Sequence, residues 1–530
     1  MGVNETNKLV KSALLLTAGG LISKVLSAGY RVPLQNLTGD IGFYIYQQIY
    51  PILGIALMLS LYGFPSAISK MAMDLKRMGK KLTFKTFHLP IILILLCINA
   101  TLFLFLLLNA DLLAVWIGDE RLAGTYRFSA FIFLVIPFTA LLRGVFQSNQ
   151  YMKPVAFSQI GEQIVRVFII VGAAVVISTQ QINLYKIGQA AVWAAILGSI
   201  TALFILVIFY RNKQLKKEET NHPVPWNYYV NTLLILGLAA TLNHMVLLVI
   251  QFADTFTLLP SLLGHGLDKQ TAMEAKGVFD RGQPLIQLGI VLGSSFALAL
   301  LPSISQKRLE DDPETFYFYI RGALKFSLYL AVGACIGLII IFKEVNELLY
   351  QNAEGTRYLQ ILVSAIVFAS IAITASSILQ GLGYVKRTAG FILIAFFVKW
   401  IANQTLVPWI GIIGAALATT VSLLLLCIIV SMELRRKVPG LHFYKQINWK
   451  VLSGAAGLMI IYLAIGNFII SFMEDMSRWG LLVYVVFISF TGGAIYIFCM
   501  IRWKAFTIKE LRMLPASNFF IRIYKERNKI

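Results

Sequence analysis

The stretch Ser12–Pro33, SALLLTAGGLISKVLSAGYRVP, decides how the chain is read. It has the apolarity of a membrane-spanning helix, yet it carries Lys24 near its middle and Arg31 seven residues later. Seven residues are about two helical turns, so both cations fall on one face. A cation inside hydrocarbon costs roughly 2.5–3.5 kcal/mol on insertion scales, so it faces a partner or a wet cavity. The remaining sequence has to supply that partner or that cavity.

The chain has 530 residues, 58% of them hydrophobic and only 13% charged, with a mean hydropathy of +0.75. Soluble domains carry roughly 25% charged residues, so composition alone marks a membrane protein. A net charge of +21 would point to nucleic acid in a soluble chain. Here the cations sit in short loops between apolar runs, which is a topology signal and argues against nucleic-acid binding. Cys97, Cys335, Cys427 and Cys499 are far apart inside apolar runs and read as packing residues. The five histidines show no metal-ligand spacing, and of them His244 alone lies well inside a span. With no Walker loop, nucleophile elbow or phosphate-cradling glycine loop, neither an enzyme nor a cofactor is expected. No cleavable signal peptide is read at the N-terminus.

Apolar runs long enough to cross a bilayer recur near 10–35, 41–71, 88–110, 122–148, 154–178, 187–211, 228–259, 277–305, 317–342, 357–382, 386–407, 411–433, 450–472 and 479–501. The expectation is an all-α polytopic membrane protein with about 14 transmembrane helices. Alternate loops are basic, as at Lys76–Lys85, Arg211–Lys217, Lys307–Arg308, Lys386–Arg387 and Arg435–Lys437. The opposite loops are acidic, with Asp40, then Asp111, Asp119 and Glu120, then Glu344, Glu347 and Glu354, then Glu474 and Asp475. Basic loops stay in the cytoplasm, so both termini are expected there. Trp226, Trp449, Trp479 and Trp503 fall at span ends, as interfacial anchors do.

The two halves echo each other. RGVFQSNQYMKPVAF aligns with SSILQGLGYVKRTAG, and Gln147/Gln380, Tyr151/Tyr384, Lys153/Lys386, Arg166/Lys399 and Pro51/Pro284 all share an offset of 233. A repeat with an even number of spans per half is parallel. The expected organisation is a six-helix lobe over 1–211, a second over 228–434, an extra helix pair over 449–502 and a basic cytoplasmic tail over 503–530. Two lobes about a central axis suit alternating access.

At these residues the chain resembles the polysaccharide-biosynthesis and stage V sporulation protein B branch of the MOP flippase superfamily, which also holds lipid II flippases and MATE exporters. The matching stretches are ISKVLSAGYR at 22–31, GFPSAISK at 63–70, QYMKPVAFSQIGEQIVR at 150–166, FDRGQPL at 279–285, LPSIS at 301–305 and ILQGLG at 378–383. The resemblance implies movement of an undecaprenyl-pyrophosphate-linked saccharide across a bacterial cell membrane, with that lipid and the membrane lipids as partners; a monomer is expected. It also implies a cavity lined by first-span cations and an eighth-span Asp-Arg, which map to Lys24, Arg31, Asp280 and Arg281. Lys24 departs from the usual arginine and offers a point charge in place of a bidentate fork.

A diphosphate needs cations in a partly dry cavity, because charge-assisted hydrogen bonds must replace its hydration. Lys24, Arg31 and Arg281 can supply them. Asp254 is the acid late in the seventh span; it either neutralises Arg281 or Arg31 or takes a coupling ion. Gln251 stands near it and offers sugar-hydroxyl contacts or interhelical packing. Glu162 and Arg166 are spaced i, i+4 on the fifth span with Arg143 within reach, and Lys399 and Asn403 repeat that spacing on the eleventh. These five are expected to form structural or gating networks. Some members of the superfamily bind sodium between the seventh, eleventh and twelfth spans; an eleventh span with Lys399 and no acid counts against that here. The competing function is a MATE-like exporter of small amphipathic compounds, which favours acidic cavity residues.

Overall fold

The structure, a computed structural model, describes residues 19–20, 22–211, 223–300, 312–441, 443–472, 476–512 and 517–525. The start of the quoted opening stretch, most of the linker after Arg211, LPSIS, and Glu474 and Asp475 lie outside them. The described residues are overwhelmingly helical and contain no strand. In chain order the helices are α1 (22–29), α2 (Arg31–Met58), α3 (Phe64–Arg77), α4 (Leu89–Ile117), α5 (Ala123–Ser129), α6 (Ile136–Ser148), α7 (Lys153–Thr179) and α8 (Lys186–Arg211). There follow α9 (Trp226–Asn231), α10 (Leu238–His244), α11 (Val246–Gly264), α12 (Lys269–Leu300), α13 (Pro313–Ile340), α14 (Phe342–Tyr350), α15 (Thr356–Val363) and α16 (Ala365–Gly381). The last are α17 (Val385–Ile410), α18 (Ile412–Lys437), α19 (Trp449–Ile470), α20 (Arg478–Arg502), α21 (Ile508–Leu511) and α22 (Ser517–Lys525).

Twelve helical stretches among the described residues are long and apolar enough to cross a membrane. The first, Ile22–Arg77, is one continuous path covering two of the expected spans. It bends at Gly39, whose φ of 66° and ψ of −172° are open to a residue without Cβ. Helix α12, the expected eighth span, carries Lys269, Glu274, Lys276, Asp280 and Arg281 in its first half, more charge than an ordinary span holds. The polarity is that of a protein dissolved in lipid. Leu108, Phe168, Phe204, Trp409 and Phe490 are exposed, whereas Arg31, Arg143, Arg281, Lys276 and Lys399 are buried. Water would invert that arrangement.

The 233-residue echo reaches the backbone. Helix α6 ends at Ser148 and α16 at Gly381. In the turns that follow, the Gln150 amide donates to the Gln147 carbonyl and the Gly383 amide to the Gln380 carbonyl, each at 2.9 Å. Gln150 and Gly383 both take positive φ, 56° and 91°. The same turn is built twice, once with glycine and once with glutamine.

The chain forms two compact units. The first holds residues 1–284 and 384–418, the second 285–383 and 419–530. In the first unit, the π-helical turn Leu59–Gly63 joins α2 to α3 and crosses the seventh span where side chains are smallest. A Cβ on Gly63 would meet Thr241 Oγ1 at 1.9 Å and the Gly237 carbonyl at 2.7 Å. Gly63→Val therefore forces the crossing apart, and overpacking of this kind costs about 1–3 kcal/mol or more. Reduced yield and a lower melting temperature in detergent are the expected result; a wild-type melting curve would show that the crossing yields. In the second unit, Gly289 and Gly293 of α12 face Ile366 and Ser370 of α16 at similarly close range. There the segment after α20 is fastened to α13: Phe506 stacks on Phe326 at 4.7 Å, and Lys325 pairs with Glu510 at 3.0 Å.

Candidate functional site

All the sequence-predicted site residues fall in the first unit, and their charges sort into paired and unpaired. Asp254 on α11 pairs with Lys399 of α17 at 2.9 Å, where the expected partners were Arg281 or Arg31. The Lys399 ammonium also donates to the Ala415 carbonyl at 2.9 Å. Asn403, one turn along, donates to Asp254 Oδ1 and to Thr257 Oγ1, both at 2.8 Å. Asp254 Oδ2 keeps no partner. Asp280 pairs with Lys276 one turn earlier on α12, at 2.9 Å. Gln251 donates to Gln283 at 2.8 Å, an interhelical contact.

Arg281 is fully buried and held by Asp40. Its Nε donates to Asp40 Oδ1 at 2.7 Å and its Nη2 to Asp40 Oδ2, a bidentate fork. The backbones close up beside it, because a Cβ on Gly277 would lie 2.2 Å from the Asp40 carbonyl. A second contact stands at the acidic-loop end: Asp119 accepts the Tyr185 hydroxyl at 2.7 Å and lies 3.5 Å from Lys269 at the start of α12. Burial and that hydrogen bond push the Tyr185 phenol well above its ordinary value.

A separate cluster joins the Leu59–Gly63 turn, α6, α7 and α8, whose Ser199 donates to Glu162 Oε1 at 3.2 Å. Arg143 donates to Glu162 Oε2 at 2.9 Å, to Ser60 at 2.6 Å and to Ser158 at 3.2 Å. Arg166 donates to Glu162 Oε1 at 3.0 Å, so two guanidinium groups share one carboxylate.

Arg31 differs from all of these. It is completely buried, and Nε, Nη1 and Nη2 all lack a hydrogen-bond partner. Its guanidinium lies over the Tyr50 ring, 4.2 Å from the centroid. Tyr30 and Tyr46, whose hydroxyls bond to each other, complete an aromatic wall. Lys24 is exposed and makes no ion pair among the described residues. Exposure there does not mean lipid. Lys24 is within electrostatic range of His244, and Gly20, one turn before it, lies beside Tyr62 and Gln159. The three acids Asp40, Asp254 and Asp280 each have an ion-paired cation, whereas Lys24 and Arg31 make no ion pair among the described residues, although Arg31 lies within electrostatic range of Asp280. Cations without an ion-pair partner in a membrane interior can hold an anion.

Asp40, Lys276 and Gln283 were not among the residues singled out from sequence. The i, i+4 spacing of Lys276 and Asp280 was a usable signal; Asp40 had been assigned to a loop. No group of three potential metal ligands gathers among the described residues.

A profile for polysaccharide biosynthesis proteins matches residues 9–307, and a MatE profile matches residues 272–405. The chain is 37% identical to the uncharacterized membrane protein YabM of Bacillus subtilis, over 98% of this chain and 97% of that one. It is 24% identical to the lipid II flippase MurJ of Bacillus subtilis, covering 93% and 95%. Among solved structures, the inward closed conformation of lipid II flippase MurJ superposes with a TM-score of 0.65 at 14% identity, over 91% of this chain and 98% of that one.

Proposed function

Because the chain belongs to the polysaccharide biosynthesis protein family of the MOP flippase superfamily, a family of membrane transporters, we propose that it flips an undecaprenyl-pyrophosphate-linked saccharide from the inner to the outer leaflet by alternating access. The reading is carried by one observation: Arg31 is buried with all three guanidinium nitrogens unpartnered, and Lys24 lies on the same first span without an acid.

In this reading the diphosphate meets Lys24 first, at the accessible part of the cavity, and then fills the donors of Arg31. Lys24 contributes charge that tolerates movement of the ligand; Arg31 contributes a planar fork that fixes it. Arg281 is already occupied, so a phosphate reaches it only by displacing Asp40. That exchange would link headgroup binding to release of the α2–α12 contact at Gly277, the step that alternating access requires. The two six-helix lobes, the cytoplasmic termini and the monomeric state belong to the same proposal.

The test is a leaflet-resolved assay in liposomes with a defined undecaprenyl-pyrophosphate-linked disaccharide. Lys24→Ala is expected to slow flipping by about tenfold, the loss of one charge-assisted contact. Unchanged flipping in that variant would remove Lys24 from the site. The MatE match keeps an exporter of small amphipathic compounds as the second reading, and export of such compounds with no lipid flipping would establish it. The surplus of cavity cations argues for the anionic substrate.

A further inference from the structure

Two irregularities in the first unit converge at one place. The π-helical turn Leu59–Gly63 presents Tyr62. Helix α10 ends at His244, and the chain breaks at Met245, with φ −119° and ψ 30°, before α11 resumes. Backbone irregularity at membrane depth is tolerated where it lines a cavity or is buried in protein, and π-bulges collect at functional positions. Here the two breaks bring Tyr62 and His244 together, with ring centroids 4.2 Å apart and planes inclined by 19°. The close crossing of Gly63 on Gly237 and Thr241 holds them there.

The stack is not core. His244 is exposed and Tyr62 only partly covered, although they stand among the first, second, fifth and seventh spans. No hydrogen bond to the His244 ring nitrogens is present among the described residues. Gln159 of α7 and the Tyr62 hydroxyl both lie close to Gly20, and Lys24 is one turn beyond. Stacked on Tyr62, the exposed His244 ring keeps its outer face, with polar atoms close by: its own nitrogens, the Tyr62 phenol, the buried Gln159 amide and the Lys24 ammonium.

We infer that Tyr62, His244 and Gln159 form a subsite for the sugar ring next to the diphosphate. The inference rests on the flippase reading above. A pyranose ring has an apolar C–H face and a belt of hydroxyls, and an aromatic face rimmed with donors and acceptors matches both. A diphosphate has no apolar face to place there. A polyprenyl tail has no use for the rim. An aromatic cation would fit the stack but meet Lys24 as a like charge. Lys24 then stands at the junction, touching phosphate on one side and bordering the sugar platform on the other.

The test uses the full chain in nanodiscs and two probes, bare undecaprenyl pyrophosphate and the same lipid carrying a disaccharide. The wild type is expected to bind the glycosylated lipid about fivefold more tightly. Tyr62→Leu and His244→Leu should each collapse that ratio toward one. His244→Phe and Tyr62→Phe, which keep a ring in place, should retain most of it and guard against a leucine variant that misfolds. A ratio unchanged in the leucine variants overturns the subsite, as does a wild type that binds both lipids equally; in both cases the flippase reading survives. A wild type that binds neither lipid overturns the flippase reading itself.

Discussion

Arg31→Met is expected to abolish flipping and to raise the melting temperature at the same time. The guanidinium is completely buried with no hydrogen-bond partner, and desolvating an ion costs several kcal/mol. The Tyr50 ring 4.2 Å away returns about 2 kcal/mol of that, short of the full desolvation cost. Methionine matches the length of the side chain and makes favourable sulfur contacts with aromatic rings. Replacing a buried charge that has no ion-pair partner by an apolar side chain should therefore stabilise the protein by about 1–4 kcal/mol, or a few degrees. Transport should fall at least 100-fold, because the proposed site would lose two charge-assisted bonds to phosphate at roughly 1.5–3 kcal/mol each. Arg31→Lys keeps the charge without the fork and should fall between the two. Thermal unfolding and the leaflet assay on the same preparations check both parts. A destabilised Arg31→Met protein that still flips lipid would show the arginine to be structural.

Lys399→Met should have the opposite stability sign. Its ammonium is the partner of Asp254 in a site where both are buried, and breaking a buried pair from one side costs about 3–5 kcal/mol. Asp254→Asn in the same chain removes the stranded charge while keeping an acceptor for Asn403, so the double variant should recover most of the loss. Melting temperatures of the two singles and the double give the coupling energy directly. A single variant as stable as wild type would mean that the pair holds nothing together. A stable double variant that no longer flips would assign the pair to transport as well as to folding.

The contrast between these two cations shows what sequence could and could not tell. Lys24 and Arg31 stood out because a charge in an apolar run is costly wherever it ends up. The membrane class and the all-helical fold followed from the same arithmetic. Partners were harder. Asp40 lies at a bend between two apolar runs and reads as a loop acid, yet it closes on Arg281, 241 residues away. Asp254 had several cations within plausible reach, and tertiary packing chose Lys399. His244 stood out as the histidine inside a span, and Gly63 and Pro65 flank the turn that presents Tyr62, but nothing in local composition shows that the two breaks meet and stack these rings. Helix irregularities made by packing are not written in local composition.

The buried pairs have a consequence for how the protein meets its surroundings. Arg127–Asp111 lies open to solvent, with its side chains 50% and 70% exposed, and dissolved salt weakens such a contact within a Debye length of about 10 Å at 0.1 M. Lys399–Asp254 and Lys276–Asp280 are sealed from the same ions. Ionic strength should therefore loosen the rim of the molecule and leave these two buried pairs untouched. Heating works the other way, because the penalty for holding ions out of water shrinks as temperature rises. The strength of these pairs is set by the fold and by temperature, not by dissolved salt.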